Sequence, residues 1–351
     1  MTVLDYPIGI HKVIGDYEIG DVLAAQKLAG GMFLEPYRLS TTSGTYVLRA
    51  HQFRRTHQTF RFQAETVQLF HDTGHTCPRV IKRKDGTWGK PVGDVFWALH
   101  EYIAGKIYSW REWWELKADT QFLSDCGAAI AKLHDGLAEI SPTGDPSLPP
   151  SLPPIQFSFL RDVRVQWEGD LDRMRVSDPG THSQSQRALI SRREEIADFW
   201  EILESAVSQE RVCDLPRQIV HGDVSPVNAV FSGRALTLID WDCSHYGLRL
   251  YDALGDVLVR RPDGETDYVA FNPTEVLAYL DGYQHATRRP ISDTELRAVP
   301  VFCLARQLED LRQRLAVISR IDEVDDYRYA SLIESRIQSM REISHLFRLC
   351  K

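Results

Sequence analysis

Apolar residues in the first hundred positions fall in short runs separated by glycine, proline and charged turns. Val22 to Leu28 is one such run, ending at Gly30-Gly31. Tyr37 to Thr41 and Thr45 to Ala50 flank a Thr-Ser-Gly turn, which predicts a hairpin. In its second arm Tyr46, Leu48 and Ala50 alternate with Val47 and Arg49, so the strand presents two distinct faces. Thr56 to Asp72 carries Phe60, Ala64, Val67 and Leu69-Phe70 at helical spacing, with Gly74 as the stop. Arg79 to Lys84, an Asp85-Gly86 turn and Trp88 read as another hairpin. Val95 to Ile103 reads as a further strand, broken by Gly105.

Beyond Gly105 the period changes. Phe122, Cys126, Ile130 and Leu133 form a helical stripe within Phe122 to Leu137, and Gln186 to Val207 has the pattern of one long amphipathic helix. Pro142 to Pro154 is rich in proline and serine and predicts a connector. Short strands return at Gln218 to Val220, Ala229 to Phe231 and Leu236 to Ile239. Asn272-Pro273 and the Ser292/Glu295 capping box start later helices, and a last helix spans Asp326 to Phe347. The whole is an α+β pattern, with strands segregated before helices. Two lobes would join near Glu101 to Gly105, which suits a chain of 351 residues.

Composition narrows the classes. A net charge of −8 gives no chain-wide basic field to recruit nucleic acid, so none is expected as a partner. The six cysteines include no Cys-x-x-Cys pair, which argues against a zinc site and fits a reducing, cytoplasmic setting. The N-terminus lacks a charged segment leading into an apolar run, so no secretion signal is expected. No apolar stretch approaches the roughly 18 residues that span a bilayer.

The chemistry concentrates in Ile219 to Asp242. Two apolar strands bracket His221-Gly222-Asp223-Val-Ser-Pro-Val-Asn228, and a third delivers Asp240-Trp241-Asp242. Phosphoryl transfer needs such a set: a carboxylate to accept the proton of an attacking hydroxyl, and oxygen ligands to hold Mg²⁺ against nucleotide phosphates. A loop pinned between strands holds these groups with the accuracy that positional catalysis demands.

This ordered set resembles the signature of the aminoglycoside phosphotransferase and choline kinase superfamily, small-molecule relatives of protein kinases. The resemblance covers roughly Leu23 to Asp256. It implies a bilobal protein-kinase-like fold, with residues 1–104 as the nucleotide-binding lobe and 105–351 as the catalytic and acceptor-binding lobe. It implies ATP (with GTP not excluded) and Mg²⁺ as cofactors. Asp223 matches the base, Asn228 a magnesium ligand and Asp240 the main magnesium ligand. His221 braces the loop and Gly222 lets it turn; Asp242 either assists the metal shell or acts structurally, and Asp252 supports the loop. Upstream, Gly30 and Gly31 match a phosphate-covering turn. Arg49 stands where kinases place a lysine, and Glu65 on the following helix stands where the glutamate paired with that cation belongs. Arginine keeps the charge and can fork onto phosphate oxygens. Met32, Phe33 and Leu34 give the glycine loop an apolar tip where many relatives carry asparagine. Glu101, Tyr102 and Ile103 match the hinge whose backbone bonds the nucleobase. His134 matches a family helix end and reads as structural.

The acceptor is less legible. Trp110, Trp113 and Trp114 either wall a sugar or nucleoside site or pack the lobe junction. Arg306 or Arg312, if turned to the acceptor, would favour an anionic one. A sugar, amino alcohol such as homoserine, nucleoside-type compound or other natural product is the expected acceptor, an antibiotic among them. An aminoglycoside phosphotransferase and a nucleotide-binding pseudokinase stand as alternatives. A protein kinase is disfavoured by the absence of His-Arg-Asp, Asp-Phe-Gly and Ala-Pro-Glu. The chain is expected as a monomer or homodimer with no membrane partner.

Overall fold

The computed structural model describes residues 13–28, 36–51, 57–92, 95–143, 157, 160–176, 182–255, 261–262, 267–268, 272–317 and 323–349. The N-terminal half of the cleft is a six-stranded antiparallel sheet. Its strands are β1 (Val22–Lys27), β2 (Tyr37–Thr41), β3 (Gly44–His51), β4 (Val80–Ile81), β5 (Gly89–Val92) and β6 (Val95–Glu101), ordered β1-β2-β3-β6-β4, with β5 also on β6. The predicted second hairpin is corrected here. β4 and β5 both pair with β6 rather than with each other, because β6 is long enough to receive them end to end.

Helix α1 (His57–Asp72) crosses the sheet and divides its side chains between two cores. Phe60 and Ala64 are buried with Val80, Phe96 and Ala98 of the sheet. Phe62, Val67 and Phe70 join the helical core, where the Phe70 ring lies 5.5 Å from Trp241. Successive residues of a helix are about 100° apart, which lets one element serve both sides.

The second half is helical. It contains α2 (Trp110–Leu116), α3 (Thr120–Leu137), α4 (Leu160–Val176), α5 (Gln184–Ser191) and α6 (Arg193–Gln209). The short strands β7 (Gln218–Val220), β8 (Ala229–Ser232), β9 (Ala235–Leu238) and β10 (His245–Gly247) carry the polar loop. Then follow α7 (Arg249–Ala253), the two-residue strands β11 (Arg261–Pro262) and β12 (Asp267–Tyr268), α8 (Pro273–Ala286), α9 (Asp293–Arg297), α10 (Val299–Val317) and α11 (Glu323–Leu349).

The single helix expected over Gln186 to Val207 is two. It breaks at Arg192, whose backbone sits at φ −104° and ψ 9° while its guanidinium reaches Glu334 of α11 at 2.9 Å. Leu189 and Ile196 stay buried on either side, so the apolar pattern runs through the break unaltered. Helix α4, absent from the sequence reading, buries only Leu160, Trp167 and Leu171 and is polar elsewhere, which left too sparse a stripe to see. Among the described residues no helix is long and apolar enough to cross a membrane.

Candidate active site

The polar loop between β7 and β8 is held from below by Asp252 of α7. Its carboxylate accepts the His221 N–H at 3.0 Å, the Gly222 N–H at 2.8 Å and His134 Nε2 at 3.0 Å. Burial alone would raise this acid. The hydrogen bond and charge of His134, with the charge of Arg306, instead bring it down to about 2. Gly222 has φ +86°, and a Cβ there would collide with the Cys243 carbonyl, so only glycine lets the two loops approach.

His221 fixes the turn from above. Its Nε2 donates to the Ile239 carbonyl at 3.0 Å, and its Nδ1 accepts the Asp223 N–H at 3.3 Å. One donor and one acceptor is the bonding of a neutral imidazole, and burial accordingly lowers its pKa. Asn228 donates from Nδ2 to Asp223 Oδ2 at 2.8 Å and to the Asp223 carbonyl at 3.1 Å. The Ile239 N–H donates to the Asn228 carbonyl at 2.8 Å. That backbone bond sets the Asn228 turn beside the strand end that delivers Asp240.

Asp240 itself is left-handed, at φ 61° and ψ 62°, one of two described non-glycine residues with positive φ. Its Oδ2 meets Arg49 Nη2 at 2.8 Å, and Arg49 also lies 3.9 Å from Asp242. Burial works against the Arg49 charge, but the Asp240 and Asp242 carboxylates more than offset it, and the guanidinium is held firmly cationic.

These residues share one cleft of about 500 Å³ between the sheet and the loop. Arg49, Glu101, Tyr102, Ile103, Asp223, Asn228, Asp240 and Asp242 all line it. At the hinge the Glu101 N–H is taken by the Arg79 carbonyl at 2.9 Å and the Tyr102 N–H by the Thr45 carbonyl at 3.3 Å. The Glu101 carboxylate is paired with the Arg79 guanidinium.

Oxygen donors at Asp240 and Asn228 are hard ligands, the kind a magnesium ion takes. With its Nδ2 committed to Asp223, Asn228 has its amide oxygen as the coordinating atom. Among the described residues no three His, Cys, Asp or Glu side chains gather into a metal cage.

Other sequence candidates lie elsewhere. Glu65 does not meet Arg49: it pairs with Arg61 at 2.5 Å and accepts the Thr143 N–H at 2.8 Å. The reason is rotational. Phe60, Gln63 and Val67 are the α1 residues lining the cleft, and Glu65 projects some 200° from Gln63. Gln63 is the one that reaches the loop, donating to the Asp242 carbonyl. The expected use of Arg306 for an acceptor is not what its bonds show. Its guanidinium donates to the Tyr251 carbonyl at 2.9 and 3.3 Å and lies 4.1 Å over that ring. Neither Arg306 nor Arg312 lines the cleft. Trp113 is buried against Phe122, within the core of the helical half. Gly30, Gly31 and the side chains of Trp110 and Trp114 lie outside the described residues.

Sequence reasoning passed over His51 and His100. His51 donates from Nδ1 to Asp242 Oδ2 at 2.9 Å, and its Nε2 lies 3.3 Å from that of His100, which lines the cleft. The signal was present in the alternation of β3, which puts His51 on the face of Val47 and Arg49.

A strand-rich half, a helical half and an acid-bearing loop between them make a protein-kinase-like phosphotransferase. The phosphotransferase enzyme family matches residues 25–295, and the chain belongs to that family. It is a small-molecule hydroxyl kinase. The homoserine kinase of Acidiphilium cryptum (strain JF-5) is 26% identical over 322 residues, covering 89% of each chain. Among solved structures, a microcompartment-associated aminopropanol kinase superposes with a TM-score of 0.68 at 15% identity, covering 96% of this chain and 97% of its own. The amicoumacin kinase hAmiN, solved with AMP-PNP, Ca²⁺ and amicoumacin, gives 0.64 at 14%, covering 97% and 94%.

Proposed function

We propose that the protein transfers the γ-phosphoryl group of ATP to the hydroxyl of a small amino alcohol, homoserine first among them. The reading rests on one observation: Asp223, Asn228, Asp240 and Arg49 converge on a single cleft whose far end is the hinge segment. Residues 1–104 serve as the nucleotide lobe and 105–351 as the catalytic and acceptor lobe. Homoserine kinases that match over 89% and 87% of the chain support this acceptor.

Asp223 takes the proton of the acceptor hydroxyl as its oxygen forms a bond to the γ-phosphorus. The bond from that phosphorus to the β,γ-bridging oxygen breaks, and ADP leaves. The Asn228 amide holds Asp223 Oδ2 and so fixes the rotamer of the base. Asn228 and Asp240 would hold magnesium, which when bound neutralises charge on the phosphate oxygens. Arg49 supplies the cation for the phosphates. The nucleobase bonds the Glu101 carbonyl and the Ile103 N–H, since the Glu101 and Tyr102 amides are already used within the sheet. Asp252, His134 and His221 hold the loop in the shape that the reaction needs.

The test is ADP release with Mg²⁺ and ATP or GTP across homoserine, aminopropanol, sugars, aminoglycosides and a peptide. Homoserine is expected to give the highest kcat/KM, with ATP preferred. A clear preference for an aminoglycoside would replace the acceptor. The Arg49–Asp240 pair favours one rival, a nucleotide-binding module without turnover. Nucleotide binding with no acceptor-dependent ADP release would establish that rival.

A further inference from the structure

Asp240 holds a left-handed backbone without being glycine. Such a conformation costs about 1 kcal/mol or more and persists only where neighbours fix it. The neighbours that fix it come from the opposite lobe. Arg49 takes its carboxylate, Gln63 takes the Asp242 carbonyl, and His51 takes the Asp242 carboxylate.

Of the three, His51 also contacts His100 of β6, which lines the cleft. Its side chain is wholly buried. A carboxylate only accepts, so His51 Nδ1 is the donor to Asp242. His100 is half-buried, and desolvation, then the charges of His51 and Arg49, holds its imidazole well below the usual range. Its Nε2 lies 3.3 Å from His51 Nε2, so His51 is held between His100 and Asp242.

We propose that His51 is a positioning residue for phosphoryl transfer, tying the nucleobase end of the cleft at His100 to the Asp240-Trp241-Asp242 segment and so setting how Asp240 faces the cleft. The Asp242 carboxylate is on this view the handle by which the sheet grips the metal-bearing turn. The inference rests on the kinase reading above and extends it to residues that reading does not use.

Three variants separate the two bonds. His51→Leu removes both. His51→Asn places an amide N–H at the Nδ1 position and keeps the Asp242 bond. His51→Gln reaches the Nε2 position and keeps only the His100 side. Calorimetry of ATP binding against Mg²⁺ concentration gives a readout that needs no acceptor; kcat and KM come from ADP release.

For His51→Leu the Mg²⁺ needed for half-maximal ATP binding should rise about tenfold and kcat should fall about 10- to 100-fold, as outer-shell changes at metal sites do. The acceptor KM should stay within about twofold, and His51→Asn should return to within about threefold of the parent kcat while His51→Gln does not. If the leucine variant fails to fold, the Asn–Gln pair carries the test alone. Unchanged Mg²⁺ demand and kcat in His51→Leu, or equal loss in the Asn and Gln variants at equal Tm, would overturn the proposal. A parent protein that neither binds ATP nor turns over homoserine would instead sink the kinase reading, a different failure with a different signature.

Discussion

The loop that carries Asp223 and the strand that carries Arg49 face each other across one cleft, yet they are specified differently. In the loop, backbone bonds set the geometry: Asp252 holds two consecutive N–H groups and Ile239 closes onto Asn228. Spacing along the chain therefore translates into position in space. On the sheet side, which charge meets which is decided by rotation and competition among side chains. Arg49 faces two carboxylates of the loop and turns to them, while Glu65 pairs within its own helix. Backbone-closed sites are legible in sequence; side-chain-closed sites need the fold.

The sharpest break of this contrast is Asp223→Asn. It keeps shape and the loop's backbone bonds but removes the base, so kcat should fall by roughly three to four powers of ten with ATP affinity retained by calorimetry. Near-parent turnover would remove the mechanism. Next is the loop's anchor. Asp252→Ala strands buried donors and should cost about 3 kcal/mol in chemical denaturation, well above any single change at Glu65.

The same carboxylate predicts an acid limb. Its folded pKa of about 2 lies below the reference 3.8, so the stabilisation is complete above pH 4 and disappears as pH falls through 2. It amounts to about 2 kcal/mol, read from denaturation midpoints between pH 5 and 2 and absent in the Asp252→Asn protein.

On the sheet side the effects are smaller and uneven. Arg49→Ala should weaken ATP binding about tenfold in calorimetry, with Arg49→Lys partly restoring it. Glu65→Gln should change ATP binding by no more than about twofold, since its partners are exposed surface groups. A loss at Glu65 equal to that at Arg49 would show that the two meet during turnover and would erase the distinction drawn here.

Much of the architecture was readable because it is periodic. The alternation of β3 and the stripes of α1 and α3 follow directly from burial of one face. The gaps have physical causes too. The break at Arg192 leaves the apolar rhythm intact and is bound to an ion pair with a helix more than a hundred residues away. His51 looked like an ordinary strand residue because its value lies in a partner across the cleft, Asp242. Arg306 showed a charge but not the carbonyl it is spent on, whereas Asp223, Asn228 and Asp240 were visible since two short strands and a turn deliver them.

Helix α1 has one further bearing. Its aromatic residues are mortared into both halves, with Phe60 on the sheet side and Phe62 and Phe70 on the other. Neither half can melt without stripping apolar surface from its neighbour. Heating should therefore give one calorimetric transition whose van't Hoff and measured enthalpies agree, not the two steps of loosely tethered modules.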